Sequence, residues 1–109
     1  MTITELQEQV GETNAANGWH TGDISPVERI ALIVTECAEA IEELRAGHPV
    51  DETYYPDSVK PEGVPSEIAD VVIRCLDFAF VYGIDLAAVI ATKLAYNETR
   101  GWRHGGKRL

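Results

Sequence analysis

Two acidic pairs with one spacing, Glu36-x-x-Glu39 and Glu67-x-x-Asp70, sit inside runs of apolar residues that a small protein needs for its core. The first lies in IALIVTECAEAIEEL and the second in SEIADVVIRCLDFAF. Side chains three apart on a helix share a face, about 5–6 Å apart at Cβ. Each pair therefore points two carboxylates the same way. Four carboxylates gathered at a core repel one another and resist leaving water. A hard divalent cation removes that penalty, and an all-oxygen donor set suits Mg²⁺, with Mn²⁺ as a substitute. On their own, such pairs are usually a wetted helix face. Two of them, each within an apolar helix, argue for a metal site at Glu36, Glu39, Glu67 and Asp70.

The rest of the chain reads as helices. Residues 3–17 form a modest first helix, broken by Gly18-Trp19-His20-Thr21-Gly22-Asp23. Ser25-Pro26-Val27-Glu28 is a capping box with proline at the first helical position, and the helix it opens runs to about Ala46 before Gly47. Val27, Ile30, Val34, Cys37, Ile41 and Leu44 make a heptad seam along it. Ser66 is placed to cap a third helix over 67–82, and Asp85 a fourth from Leu86 to about Arg100. The short Gly83-Ile84 link predicts that these two pack antiparallel. The expected fold is all-α: one domain, 1–109, with a four-helix core that oligomerises into a helical bundle as a homodimer or homotetramer. The apolar second and third helices have too few neighbours in one copy. The proline-rich 47–65 segment reads as a loop insert, mobile at the surface, and 101–109 as a basic tail.

Charge narrows the partners. Residues 1–92 carry 17 acids and 4 bases, whereas 93–109 carry 5 bases and 1 acid. An acidic body argues against a nucleic acid polymer as partner. No apolar run reaches the ~18 residues of a membrane span, and MTITELQEQV has neither a basic n-region nor an apolar h-region. The expectation is a cytoplasmic protein of a bacterial or phage-infected cell. Cys37 and Cys75 read as reduced core residues.

Other side chains extend the site. Glu36, Glu39 and Glu43 share a sector at ~100° per residue, while Glu42 points to solvent. Glu67, Asp70, Arg74 and Asp77 share a face of the third helix, with Arg74 and Asp77 expected as an intrahelical pair that orients Asp70. On the fourth helix an apolar face continues into Lys93, Asn97 and Arg100 with Tyr96 on the flank, the pattern a phosphate chain beside a metal needs. Trp19 offers a stacking surface, and Asn14 and Asn17 offer amides to a base edge.

Glu36-x-x-Glu39, 27 residues, Glu67-x-x-Asp70, then Lys93-x-x-Tyr96-Asn97-x-x-Arg100 resembles the MazG-like nucleoside triphosphate pyrophosphohydrolases. Gly18-Trp19 before the second helix, AEAIEELRAG and EIADVVIRCLDFA extend the likeness over nearly the whole chain. The resemblance implies Mg²⁺ on Glu36, Glu39, Glu67 and Asp70, one of which also aligns water. It implies Lys93, Asn97 and Arg100 on phosphates and sugar, and hydrolysis of a (deoxy)nucleoside triphosphate to the monophosphate and pyrophosphate, for nucleotide-pool control or housecleaning. The insert at 47–65 departs from the simplest members. A phosphoribosyl-ATP pyrophosphohydrolase is the close alternative, and a non-catalytic metal-binding helical interaction module the distant one. A di-iron bundle needs Glu-x-x-His pairs, which the chain lacks. It also has no GxxxxGK[ST] phosphate loop.

Overall fold

The computed structural model describes all of residues 1–109 except the side chain of His104. Four helices carry the fold: α1 (Ile3–Ala16), α2 (Pro26–Arg45), α3 (Val64–Val81) and α4 (Leu86–Glu98), followed by the one-turn α5 (Arg103–Gly106). Among the described residues there is no strand, only an isolated antiparallel bridge between Tyr54 and Glu62. No single helix is long and apolar enough to cross a membrane.

Local chemistry sets most of the boundaries. Ser25 Oγ accepts from the Glu28 amide at 3.2 Å while Glu28 Oε2 accepts from the Ser25 amide at 2.8 Å. This closes the expected box around two amides that α2 leaves unpaired at its start. Thr2 and Glu5 do the same for α1, and Asp85 Oδ1 accepts from the Ala88 amide to start α4. The start of α3 departs from expectation. It begins at Val64, with Pro65 in its first turn and Gly63 as cap, while the Ser66 hydroxyl donates to the Pro61 carbonyl at 3.0 Å. Gly63 holds φ at 115°, and a Cβ there would collide with the Glu52 carbonyl. Glycine alone fits that close return of the loop.

The 47–65 segment is folded back on α2 by specific bonds. Tyr54 and Glu62 exchange backbone hydrogen bonds at 3.0 and 2.8 Å, and the Tyr54 hydroxyl donates to the Glu43 carboxylate at 2.9 Å. His48 stacks on Tyr54 with ring centroids 4.4 Å apart and binds Glu52 at 2.7 Å.

Helices α2 and α3 form the principal pair, and α1 packs across α3. Gly11 of α1 is buried where the Phe80 ring passes, leaving no room for a Cβ. The chain turns through 113° between α3 and α4, and α4 finds its partner in α1. The expected antiparallel α3–α4 packing therefore does not form, because the two-residue link is short enough for a corner as well as a hairpin.

The second correction concerns α2. The stripe it turns to α3 contains Glu36 and Ala40, both buried. Its heptad seam faces outward: Val27 is 76% exposed and Val34 61%, and Ile30, Cys37, Ile41 and Leu44 are exposed with them. Cys37 is thus no core residue within one chain, whereas Cys75 is half-buried and burial raises its thiol pKa. One chain exposes 7960 Å² in all, against roughly 6000 Å² for a compact monomer of 12.0 kDa. Its radius of gyration is 16.5 Å, against about 13 Å expected for this length.

Candidate functional site

The inward face of α2 carries Arg29, Glu36 and Glu43, seven residues apart, and the facing side of α3 carries Glu67, Asp70, Arg74 and Asp77. Arg74 Nε donates to Glu36 Oε1 at 2.7 Å, while Glu67 lies with Glu43 further along. These pairings make the two helices antiparallel, so Arg29 and Asp77 fall at the opposite end from Glu43 and Glu67. A pocket of about 380 Å³ opens between them, with Glu36, Asp70 and Arg74 toward one end. Asn14, Trp19, Ile24 and Phe78 line the other.

Three of the four expected carboxylates come together. Oxygens of Glu36, Glu67 and Asp70 all lie within 4.8 Å of one another. Glu39 is exposed at the rim but within carboxyl-to-carboxyl reach of both Glu36 and Glu67. A second group, Glu43, Glu62 and Glu67, is equally tight, so Glu67 is common to both.

This crowding shows in the proton affinities. Burial, then hydrogen bonding with Glu39, then the charges of Glu39, Asp70 and Glu36 push Glu67 up to about 7. Burial and the Glu36 charge raise Asp70 despite Arg74 and Lys60. Burial also acts on Glu36, but hydrogen bonds from Arg74 and Glu39 and the Arg74 charge hold it below its ordinary value. Beyond the triad, the bond to Glu43 pushes Tyr54 up to about 12.

The donor set fits a divalent cation. Glu67 Oε2 is buried with no hydrogen-bond partner among the described residues, and an orphaned carboxylate oxygen facing other carboxylates is stabilised by a proton or by a bound cation. The acidic clusters thus have the oxygen ligands and the spacing that such an ion takes.

Several expected roles change. Arg74 pairs across the helix interface with Glu36, and Asp77 binds His20 Nε2 at 2.8 Å, so the intrahelical Arg74–Asp77 pair is absent. Periodicity reports which residues share a face, and here both found partners on other elements. Glu42 behaves as expected, in an exposed pair with Arg45. Trp19 and Asn14 do line the pocket, whereas Asn17 is the C-cap of α1. Lys93, Tyr96 and Asn97 lie on exposed α4 and Arg100 in the turn just after it, with Lys93 Nζ 5.8 Å and the Arg100 guanidinium 5.6 Å from the centre of the Tyr96 ring. Within one chain none of the four lines the pocket.

Three contributors escaped sequence reasoning. Glu62 arrives on the returning loop, for which periodicity offers no signal. His20 comes from the α1–α2 turn and stacks on Phe80, with centroids 5.8 Å apart. Arg29 had a signal, seven residues before Glu36 on the acidic face.

A helical pair with a carboxylate cluster at one end of a pocket of about 380 Å³ defines an acidic site with the oxygen donors a divalent cation takes. Comparison with known proteins gives the family. The chain is 32% identical over 104 residues to a dATP/dGTP diphosphohydrolase of Cyanophage S-2L, covering 93% of this chain and 78% of that protein. It therefore belongs to the family of that MazG-like phage enzyme. A 37-residue stretch is 51% identical to a dATP/dGTP diphosphohydrolase of Salmonella phage PMBT28, covering 34% of this chain and 13% of that protein. No family model and no solved structure matches.

Proposed function

We propose that this protein is a Mg²⁺-dependent hydrolase of deoxynucleoside triphosphates that releases the monophosphate and pyrophosphate, with purine substrates favoured as in the names of its relatives. The observation that carries the reading is the convergence of Glu36, Glu67 and Asp70, with Glu39 beside them, at one end of a pocket whose other end offers Trp19 and Asn14. Phosphoryl transfer asks for charge neutralisation and an aligned water, and little covalent help.

Glu36, Glu39, Glu67 and Asp70 hold the metal. A divalent cation bound there neutralises the phosphates and acidifies water. Arg74 fixes the rotamer of Glu36 and adds a positive charge at the phosphate end. One of these four carboxylates also aligns the attacking water and takes its proton. Trp19 stacks on the base, and the Asn14 amide meets its edge.

The working unit is a homo-oligomer formed through the outward seam of α2. The surface excess of one chain, about 2000 Å² over a compact monomer, is more than twice the roughly 800 Å² per partner of a standard interface and suits the larger interfaces of obligate homo-oligomers. Lys93, Asn97 and Arg100 reach phosphates across such an interface, from α4 and the turn after it in another copy. Cytoplasmic nucleotide-pool control in an infected or bacterial cell is the role that suits this activity.

The eight common NTPs and dNTPs, supplied with Mg²⁺ and scored for product, test the reading. Pyrophosphate and the monophosphate are expected from purine deoxynucleotides. Orthophosphate as first product, or no turnover of any of the eight, refutes it.

A further inference from the structure

Arg29 stands apart from the other arginines of the inner helices. Arg45 holds Glu42 and Arg74 holds Glu36, but Arg29 forms no ion pair among the described residues, in a chain with 18 acids. Its Nε is buried and has no hydrogen-bond partner among them. The side chain nevertheless lines the pocket beside Trp19, Asp77 and Phe78. The terminal guanidinium nitrogens also form no hydrogen bond or ion pair among the described residues, and they are the donors that an acceptor on a ligand in that pocket can meet.

We infer that Arg29 is the residue that selects purines, donating a hydrogen bond to N7 of the base. This rests on the reading above that the chain hydrolyses nucleoside triphosphates. The axial layout decides between base and phosphate. Arg29 lies two helical turns, roughly 10 Å along α2, from Glu36. Phosphates belong at the carboxylate end, where Arg74 already supplies a guanidinium. At the end where Arg29 sits, Asp77 is engaged by His20, and the other surroundings are Trp19, Ile24 and Phe78, which suit a flat aromatic ring.

The donor chemistry then decides which edge is read. Arginine only donates. Adenine and guanine differ at position 6, an amine in one and a carbonyl in the other, but both present N7 as an acceptor. A single donor aimed at N7 therefore accepts both purines, and no pyrimidine ring carries that atom.

The test uses 7-deaza-dGTP and 7-deaza-dATP, in which N7 is replaced by a C–H of the same shape. The full-length protein should prefer each parent over its 7-deaza analogue by roughly 10- to 100-fold in kcat/KM, the size of one charge-assisted hydrogen bond. Arg29→Met keeps the apolar stem and removes the donors. It should lose that factor on the parents, leave the analogues unchanged and bring the ratio to about one. Arg29→Lys should restore part of the preference. A wild-type protein that turns over parent and analogue equally well would overturn this inference and leave the reaction intact, as would a preference that survives in Arg29→Met. Failure to hydrolyse either parent would overturn the reaction and the inference together.

Discussion

Replacing Glu67 with Gln should stabilise the metal-free protein at high pH and abolish its response to metal. Glu67 has an ordinary value of 4.5 that burial and the neighbouring carboxylates push up to about 7. The folded state therefore holds a proton on Glu67 that the unfolded chain has already released. Stability from that proton is fully present below about pH 4.5 and is lost as pH rises through 7. A gap of about 2.5 pH units corresponds to roughly 3 kcal/mol. Glutamine mimics the protonated form at every pH, so the variant should match the wild type near pH 4.5 and exceed it by roughly 3 kcal/mol at pH 8. In a domain of this size that is on the order of 10–20 °C in Tm. Urea unfolding followed by circular dichroism, in EDTA and at fixed protein concentration, measures this directly. Added Mg²⁺ should then recover wild-type stability at pH 8 and leave the variant unmoved. A variant that loses as much stability as the wild type between pH 5 and 8, or gains as much from Mg²⁺, would show that Glu67 is not the crowded carboxylate described here.

Glu39→Gln should abolish turnover while the fold, read by circular dichroism, is retained; unchanged turnover would remove Glu39 from the site. Val34→Glu places a charge in the middle of the exposed seam and should leave a monomer by sedimentation at micromolar concentration, whereas wild type sediments as a dimer or larger. Lys93→Ala should weaken every triphosphate alike, by ~1.5–3 kcal/mol for a charge-assisted contact, as measured by kcat/KM across the nucleotide panel. Trp19→Ala should instead change the ranking among bases.

Helix boundaries were legible wherever a short-range signal sets them. Ser25 with Glu28 and Asp85 with Ala88 are contacts within one turn, and they lie where the sequence placed them. The start of α3 was misread because Ser66 looks like a cap, while the actual start depends on Gly63 meeting the Glu52 carbonyl eleven residues earlier. The same long-range closure hides Glu62, since the Tyr54–Glu62 bridge that delivers it is not encoded in either residue alone. The 113° corner after α3 also depends on a distant partner, α1, which a two-residue link does not specify.

The carboxylate cluster was legible for a different reason: it breaks the usual polarity of a helix. A helix in a small domain normally turns its apolar stripe to the core and its acids to water. In α2 the heptad positions Val27, Ile30, Val34, Ile41 and Leu44 are exposed, and Glu36 is buried against α3. A buried glutamate that keeps its charge costs several kcal/mol without compensation, and Arg74 offsets only its share. Burial first, and then the neighbouring carboxylates, keep Glu67 and Asp70 above their ordinary pKa values, so charging the cluster is unfavourable in the metal-free chain. On the function proposed above, two things outside one chain complete the arrangement, a cation between the helices and an apolar partner on the seam. Both demands come from the same rotation of α2 about its axis. Turning that helix to bury its seam against α3 would satisfy a monomer and take Glu36 and Arg29 out of the pocket. On that reading site and assembly are coupled through one helix, and a seam variant that dissociates the protein should lose affinity for Mg²⁺ as well.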